Sequence, residues 1–330
     1  MPHPSASPAG RRVQKNRRAS ARCSRFAVRS ERVASPHPSA SPTAATAEEK
    51  CGRILPVPNI TERRQTFRDL HQSGCFAIPN PWDIGSARYL QHLGFKAIAT
   101  SSAGFAFSRG LPDNGVPRDL MLAHIRELVE ATDIPVNADF ENGFANEPDG
   151  VFENVRLCVE TGVAGLSIED STGNKENPLY ELDHAVERIR AAKKAIGESA
   201  VVLVGRAECF LVGRPDIEEA IRRLTAYAEA GADCLYAPGL STREEITAVV
   251  KALAPKWVNV LVSGPVGLTM NDCAQLGVQR VSVGSGLARA AWGGFIQAAE
   301  ELAKAGTFDG FAKAKPHSEL QKFFLSVAKK

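Results

Sequence analysis

Eight short apolar runs, separated by longer stretches with apolar residues at three- and four-residue spacing, limit what this chain can fold into more than any other feature. The runs are "CFAIP" (75 to 79), "FKAIAT" (95 to 100), "IPVNAD" (134 to 139), "AGLSIE" (164 to 169), "AVVLVGR" (200 to 206), "DCLYA" (233 to 237), "WVNVLV" (257 to 262) and "RVSVG" (280 to 284). Each has strand length and is bounded by Gly, Pro or polar residues. Segments between them, such as "DLMLAHIRELVEAT" and "IEEAIRRLTAYAEAG", carry the helical period. The junctions "ETGVAGLSI", "EAGADCLYA" and "AQLGVQRVSV" put Gly where a helix end needs a left-handed residue. Eight strand–helix units in about 230 residues match the count of a (β/α)8 TIM barrel. A doubly wound sheet would have fewer strands and a Gly-rich first turn, whereas "GSGLAR" falls at the last strand here. The segment after Ala305, "GTFDGFAKAKPHSELQKFFLSV", predicts an extra C-terminal helix with an apolar face for packing or oligomer contacts.

The barrel and its helical extension are assigned to 56–330, and residues 1–55 to a disordered tail. That tail is rich in Arg, Ser, Pro and Ala, repeats "PHPSASP" at 2–8 and 36–42, and lacks the apolar surface to offset ordering entropy. Residues 1–53 hold 11 Lys/Arg against 3 Asp/Glu, leaving 29 of the 40 basic and 34 of the 37 acidic residues for the rest. A mildly acidic body gives no basis for nucleic-acid binding by the folded part. No acid precedes Glu31, so the tail has the composition of an organellar transit peptide; read instead as a bland extension, it leaves the protein cytoplasmic. The seven scattered cysteines form no C-x-x-C and suit a reducing compartment. No apolar run approaches the roughly 20 residues that span a bilayer, so no membrane partner is expected.

In a barrel, chemistry belongs to the C-terminal ends of the strands. The third ends in "NADFENGF", where Asp139 and Glu141 are two residues apart and share a face of an extended chain. The fourth ends in Glu169 and Asp170. Converging carboxylates repel unless a cation lies between them, and oxygen ligands without His or Cys select Mg²⁺, or Mn²⁺, over zinc. The competing reading is that these acids cap helices or pair with Lys/Arg. Ser101 and Ser102 offer hydroxyl and backbone donors after the second strand, and Asp113 could return to the metal. Arg206 ends the fifth strand, where an inward guanidinium needs an anion: a substrate carboxylate, or a salt bridge to Glu169 or Glu208. "SGPVGL" (263 to 268) and "GSG" (284 to 286) lie where many barrels bind phosphate, a weak signal because Gly also simply turns a chain.

Taken together, "IPNPWDIGSARYLQHLGFKAIATSSAGFAFSRGLPD", "NADFENGF", "GVAGLSIED", "VGRAECF" and "GADCLYAPG" resemble the isocitrate lyase and phosphoenolpyruvate mutase superfamily, in order, over about residues 75 to 295. The resemblance implies a (β/α)8 barrel, often with a C-terminal helix swapped between subunits of a homodimer or homotetramer. It implies Mg²⁺ bound mainly at Asp139, with Glu141, Glu169 and Asp113 acting through water. It also implies that Ser101 and the backbone N–H groups of Ser102 and Ala103 hold the substrate's carboxylate and 2-oxo oxygen, with Arg206 binding substrate. The shared chemistry makes or breaks a bond beside a small-molecule 2-oxo acid through a pyruvate enolate.

Two departures narrow that expectation. In the loop "NKENP", Lys175 is retained, but Asn177 stands where the isocitrate-cleaving lyases carry a protonating Cys. Lys175 and Asn177 are similar to the lid of the phosphonopyruvate enzymes, yet Pro238 replaces the histidine those use. The leading expectation is therefore an Mg²⁺-dependent decarboxylase or lyase on a small 2-oxo or 2-hydroxy dicarboxylate, oxaloacetate first. Phosphonomutase or phosphonopyruvate hydrolase chemistry comes next, and a non-catalytic metabolite-binding barrel third.

Overall fold

The computed structural model describes residues 58–328. The expectations for the tail, 1–55, lie outside the described residues. The first element, α1 (Ile60–Gln72), precedes the barrel proper and was not among the expected elements. There follow β1 (Phe76–Ile78), α2 (Ile84–His92), β2 (Ile98–Ala99), α3 (Ser102–Ser108), α4 (Arg118–Ala131), β3 (Val136–Asp139), α5 (Pro148–Glu160), β4 (Gly165–Glu169) and α6 (Leu182–Ile196). The second half runs β5 (Val202–Arg206), α7 (Ile217–Glu229), β6 (Cys234–Tyr236), α8 (Arg243–Leu253), β7 (Trp257–Leu261), α9 (Met270–Gln275), β8 (Arg280–Ser282) and α10 (Gly286–Ala305). A 3-10 turn (Asp309–Lys313) leads to α11 (His317–Val327).

All eight expected strands form, each within its apolar run, and every pairing is parallel in the order β1-β8-β7-β6-β5-β4-β3-β2. The Ala99 N–H donates to the Pro79 carbonyl at 3.0 Å, bringing the two ends of the sheet together in a (β/α)8 barrel. Helices outside the sheet build the larger core, with Met121, Ile125, Val155, Ile189 and Leu224 fully or nearly fully buried. A smaller cluster including Ile78, Ala99, Val202, Val204, Cys234 and Tyr236 fills the interior.

Helix α1 closes the N-terminal mouth. Its Phe67 is fully buried in the interior cluster, while Arg63, Arg64 and Arg68 donate to carbonyls of Val129, Val163 and Ala200. Those hydrogen bonds satisfy carbonyls in the last turn of α4 and in the loops before β4 and β5. Phe67 sits so close to β4 that a Cβ on Gly165 would come within 2.7 Å of its ring and 2.6 Å of the Asn137 amide oxygen, so glycine is required there.

Two imidazoles lie in this core. His71 stacks on Trp257, and its pKa falls to about 3 through burial and then through the positive charge of Arg280. His124 stacks on Phe105, and burial lowers it to about 4. Both stay neutral in the folded protein while the unfolded chain protonates them below about 6.5. Stability should therefore be lost as pH falls from 6.5 toward 3. Urea unfolding between pH 7 and 4 is expected to show a shallower loss for His71→Phe/His124→Phe than for the parent; equal slopes would refute this assignment.

Helix α10 leaves the barrel with Trp292, Phe295, Ile296 and Leu302 exposed, and Phe324 and Leu325 of α11 are exposed as well. The apolar face expected after Ala305 is thus present. Among the described residues no helix is long and apolar enough to cross a membrane.

Candidate active site

Period-two alternation on β3 sends Asp139 inward at the C-terminal end of the barrel, where neighbouring strand ends meet it. Its backbone N–H donates to Thr100 Oγ1 at 2.8 Å, locking β3 to the end of β2. Asp139 Oδ2 accepts from both the Ser102 N–H (3.0 Å) and the Ser102 hydroxyl (2.9 Å). The same hydroxyl reaches Asp113 Oδ1 at 3.5 Å. Ser101 is the N-cap of α3: its oxygen accepts from the Gly104 N–H at 3.0 Å, fixing the first turn against the cavity. Ser101, Ser102 and Ala103 all line that cavity, which holds about 150 Å³.

Arg206 faces Glu169 in register across β5 and β4. One of its terminal nitrogens lies 3.1 Å from Asp139 Oδ1 and 3.1 Å from Glu169 Oε2, while Nε pairs with Glu208. Burial disfavours its charge, but Glu169 and Glu208 raise its pKa well above the ordinary value. The salt-bridge reading of Arg206 is therefore what the structure displays, and it involves both of the acids expected from sequence together with Asp139. Asp170 turns the other way: it accepts from Tyr227 (2.6 Å), Arg223 (3.1 Å) and the Glu208 N–H (2.8 Å), which makes it a brace behind the site.

Glu141 occupies a turn with φ of 48°, a left-handed conformation uncommon outside glycine. That turn aims a buried carboxylate whose Oε1 has no hydrogen-bond partner. Burial, then the charges of Asp139 and Asp113, push its pKa up to about 8. Burial likewise raises Asp113, with Asp139 adding to the effect. Glu169 is raised well above its usual range by burial, against the opposing pull of Arg206.

Arg206 is ion-paired to Asp139, Glu169 and Glu208, while Asp113 and Glu141 beside them have no ion pair among the described residues, an excess of negative charge that protons or a cation would relieve. The unpartnered Glu141 oxygen and the all-oxygen donor set fit a hard divalent ion. Among the described residues no three acidic, His or Cys side chains converge as a direct ligand cluster. Asp139 is accordingly the residue that would hold the ion, with Asp113, Glu141 and Glu169 around it.

Lys175 and Asn177 are not brought to this cavity. The loop after β4 folds on itself as a small hairpin, with Ser171 bridging Leu179 and the Thr172 N–H donating to the Pro178 carbonyl at 3.0 Å. Lys175 and Asn177 stand exposed at its tip, while Pro238 is buried after β6.

Sequence reasoning missed several cavity residues. Asn80 accepts from the Val283 and Gly284 N–H groups at 2.9 and 2.8 Å, tying the loop after β8 to the end of β1. Asn137, Tyr236, Asn259, Arg280 and Ser282 also line the cavity. A signal existed for some: Asn137 precedes Asp139 by two, and Arg280 precedes Ser282 by two, so each pair shares a strand face.

A family model described as "Phosphoenolpyruvate phosphomutase" matches residues 67–303. The oxaloacetate decarboxylase of Paraburkholderia xenovorans is 31% identical over 250 residues, spanning 71% of this chain and 79% of that one. A crystal structure from Burkholderia cenocepacia J2315 is 48% identical with a TM-score of 0.78, covering 81% of this chain and 97% of the other. A phosphonopyruvate hydrolase crystallised with oxalate and Mg²⁺ is 28% identical with a TM-score of 0.71, covering 81% and 97%.

Proposed function

Because this chain belongs to the phosphoenolpyruvate phosphomutase family, within the isocitrate lyase and phosphoenolpyruvate mutase superfamily, we propose that it is an Mg²⁺-dependent lyase that decarboxylates a small 2-oxo dicarboxylate, with oxaloacetate the leading candidate. One observation carries the choice among the family's reactions: none of the residues lining the cavity is Cys or His. Protonation by a cysteine, or handling of a phosphonate by a histidine, thus lacks its residue in the cavity wall, whereas decarboxylation needs neither.

When bound, Mg²⁺ supplies charge stabilisation where the enolate oxygen develops. Asp139, steadied by two donors from Ser102, would hold it, with Asp113, Glu141 and Glu169 beside it. The Ser102 N–H, expected to hold substrate, is engaged by Asp139 together with the Ser102 hydroxyl, which leaves Ser101 and Ala103 in the same wall to orient the substrate's carboxylate and 2-oxo group. Arg206, fixed by three carboxylates, keeps a positive charge at the rim of the acid cluster. As the carbon–carbon bond breaks, CO2 departs and the bonding electron pair forms the enolate of pyruvate. A proton taken from water and added at carbon completes the product. Lys175 and Asn177, at the exposed tip of the β4–α6 hairpin, act only if that hairpin closes on the bound substrate.

The exposed apolar residues of α10 and α11 support a homodimer or homotetramer. The test is a panel of 2-oxo and 2-hydroxy dicarboxylates with Mg²⁺, read by pyruvate formation, with the assembly sized by light scattering in the same preparation. Pyruvate from oxaloacetate well above the metal-only rate, from a dimer or tetramer, is expected. Phosphonopyruvate serves as the carbon–phosphorus arm: conversion seen by phosphorus NMR, with no turnover of dicarboxylates, would move the assignment to that chemistry. Inertness toward the whole panel would favour a binding barrel.

A further inference from the structure

The cavity contains a second guanidinium whose surroundings differ from those of Arg206. Arg280 opens β8, is only 3% exposed, and reaches across the barrel interior. Its Nε donates to Asn259 Oδ1 at 2.9 Å and a terminal nitrogen donates to Asn137 Oδ1 at 3.2 Å. Asn259 is held in turn, donating through Nδ2 to Ser282 Oγ at 3.0 Å. Arg206 meets three carboxylates, but the partners of Arg280 are neutral amides, and among the described residues no ion pair to it forms. Its charge reaches His71 and Cys234, both neutral groups.

A guanidinium buried without a counter-charge is costly, and amide oxygens offset only part of that cost. An anion entering the cavity therefore gains most at Arg280, because Arg206 is already compensated. The spacing suits a particular length. Asn137, which touches Arg280, and Asp139 lie two residues apart on β3, about 7 Å along a strand. The end oxygens of an extended four-carbon dicarboxylate are roughly 6 Å apart, from ordinary bond lengths. Asp139 and Arg280 line the same cavity.

We propose that Arg280, oriented by Asn259 and Asn137, is a specificity-determining residue that recognises one carboxylate of a four-carbon dicarboxylate whose other end lies at the Asp139 acid cluster. The inference rests on the proposed function and narrows its substrate class. A guanidinium pairs bidentately with a planar carboxylate, and an anion with a single carboxylate cannot meet both Arg280 and the Asp139 cluster, which line the same cavity.

Calorimetric titration of the full chain with Mg²⁺ tests it without turnover, using succinate, propionate and 3-phosphonopropionate as probes. The parent should bind succinate at least about tenfold more tightly than propionate. Arg280→Met should erase that preference, and Arg280→Lys should restore part of it. Asn259→Asp sets a carboxylate against Arg280 and should erase the preference while the thermal melt stays cooperative, so it decides the question alone if Arg280→Met does not fold. An unchanged preference in a folded Arg280→Met or Asn259→Asp protein, no preference in the parent, or tighter binding of 3-phosphonopropionate than of succinate would each overturn the proposal. Arg280-dependent binding with no turnover of any dicarboxylate would sink the decarboxylase reading and leave this one standing. Turnover untouched in Arg280→Met would do the reverse.

Discussion

Asp139→Ala is expected to lower kcat/KM on the accepted oxo acid by about a thousandfold, the scale on which removal of a central charge-stabilising group acts. Asp139 joins β3 to the first turn of α3 through Ser102 and to β5 through Arg206, so its side chain is the point where three strand ends share one acid. With it gone, the donor set loses the carboxylate that would hold the cation, and Ser102 loses an acceptor. Mn²⁺ titration followed by electron paramagnetic resonance should show affinity falling in parallel. Asp139→Asn keeps the volume and an acceptor for Ser102, which separates loss of charge from loss of shape. Metal affinity equal to that of the parent in both variants would show that the carboxylate cluster is not a cation site.

The second large effect concerns stability. Arg206→Met should destabilise the folded chain by about 3–5 kcal/mol, because it strands buried carboxylates that had one shared partner. The side chains of Glu169 and Glu208 are 8% and 7% exposed, so water cannot replace the guanidinium. For a domain of this size the melting temperature should drop by roughly 10 °C. Adding Glu208→Gln to Arg206→Met should recover part of the loss, as groups in one network do not act additively. A melt within about 2 °C of the parent would mean that the cluster sheds its charge in another way, with Arg206 a bystander.

These variants also separate two roles that sequence left open for Arg206. A guanidinium reserved for substrate would cost activity when removed and little stability. One that braces Asp139, Glu169 and Glu208 costs both, and the distances favour the brace.

The alternation of apolar runs with amphipathic segments was enough to read the barrel and all eight strands, because a strand buried on both faces and a helix packed on one leave different periodicities. Asp139, Glu169, Ser101, Ser102 and Arg206 stand at or just after strand ends because the C-terminal end of a barrel strand is an address that local sequence specifies; Glu141, expected on the extended face of β3 with Asp139, instead lies past the strand in a left-handed turn. Other facts depended on contacts between distant segments. The closing of the mouth by α1, the turn of Asp170 toward Tyr227 and Arg223, and the self-folded hairpin that keeps Lys175 and Asn177 outside the cavity are set by packing. Arg280 is the sharpest case. As a letter it is one more basic residue at the start of a strand; whether it meets acids, amides or water is decided by β3 and β7, which lie 143 and 21 residues away along the chain. Sequence determined which side chains stand at each strand end, since period and punctuation are local. Only the closed barrel decided which charges are matched, since matching depends on distances that local sequence does not carry.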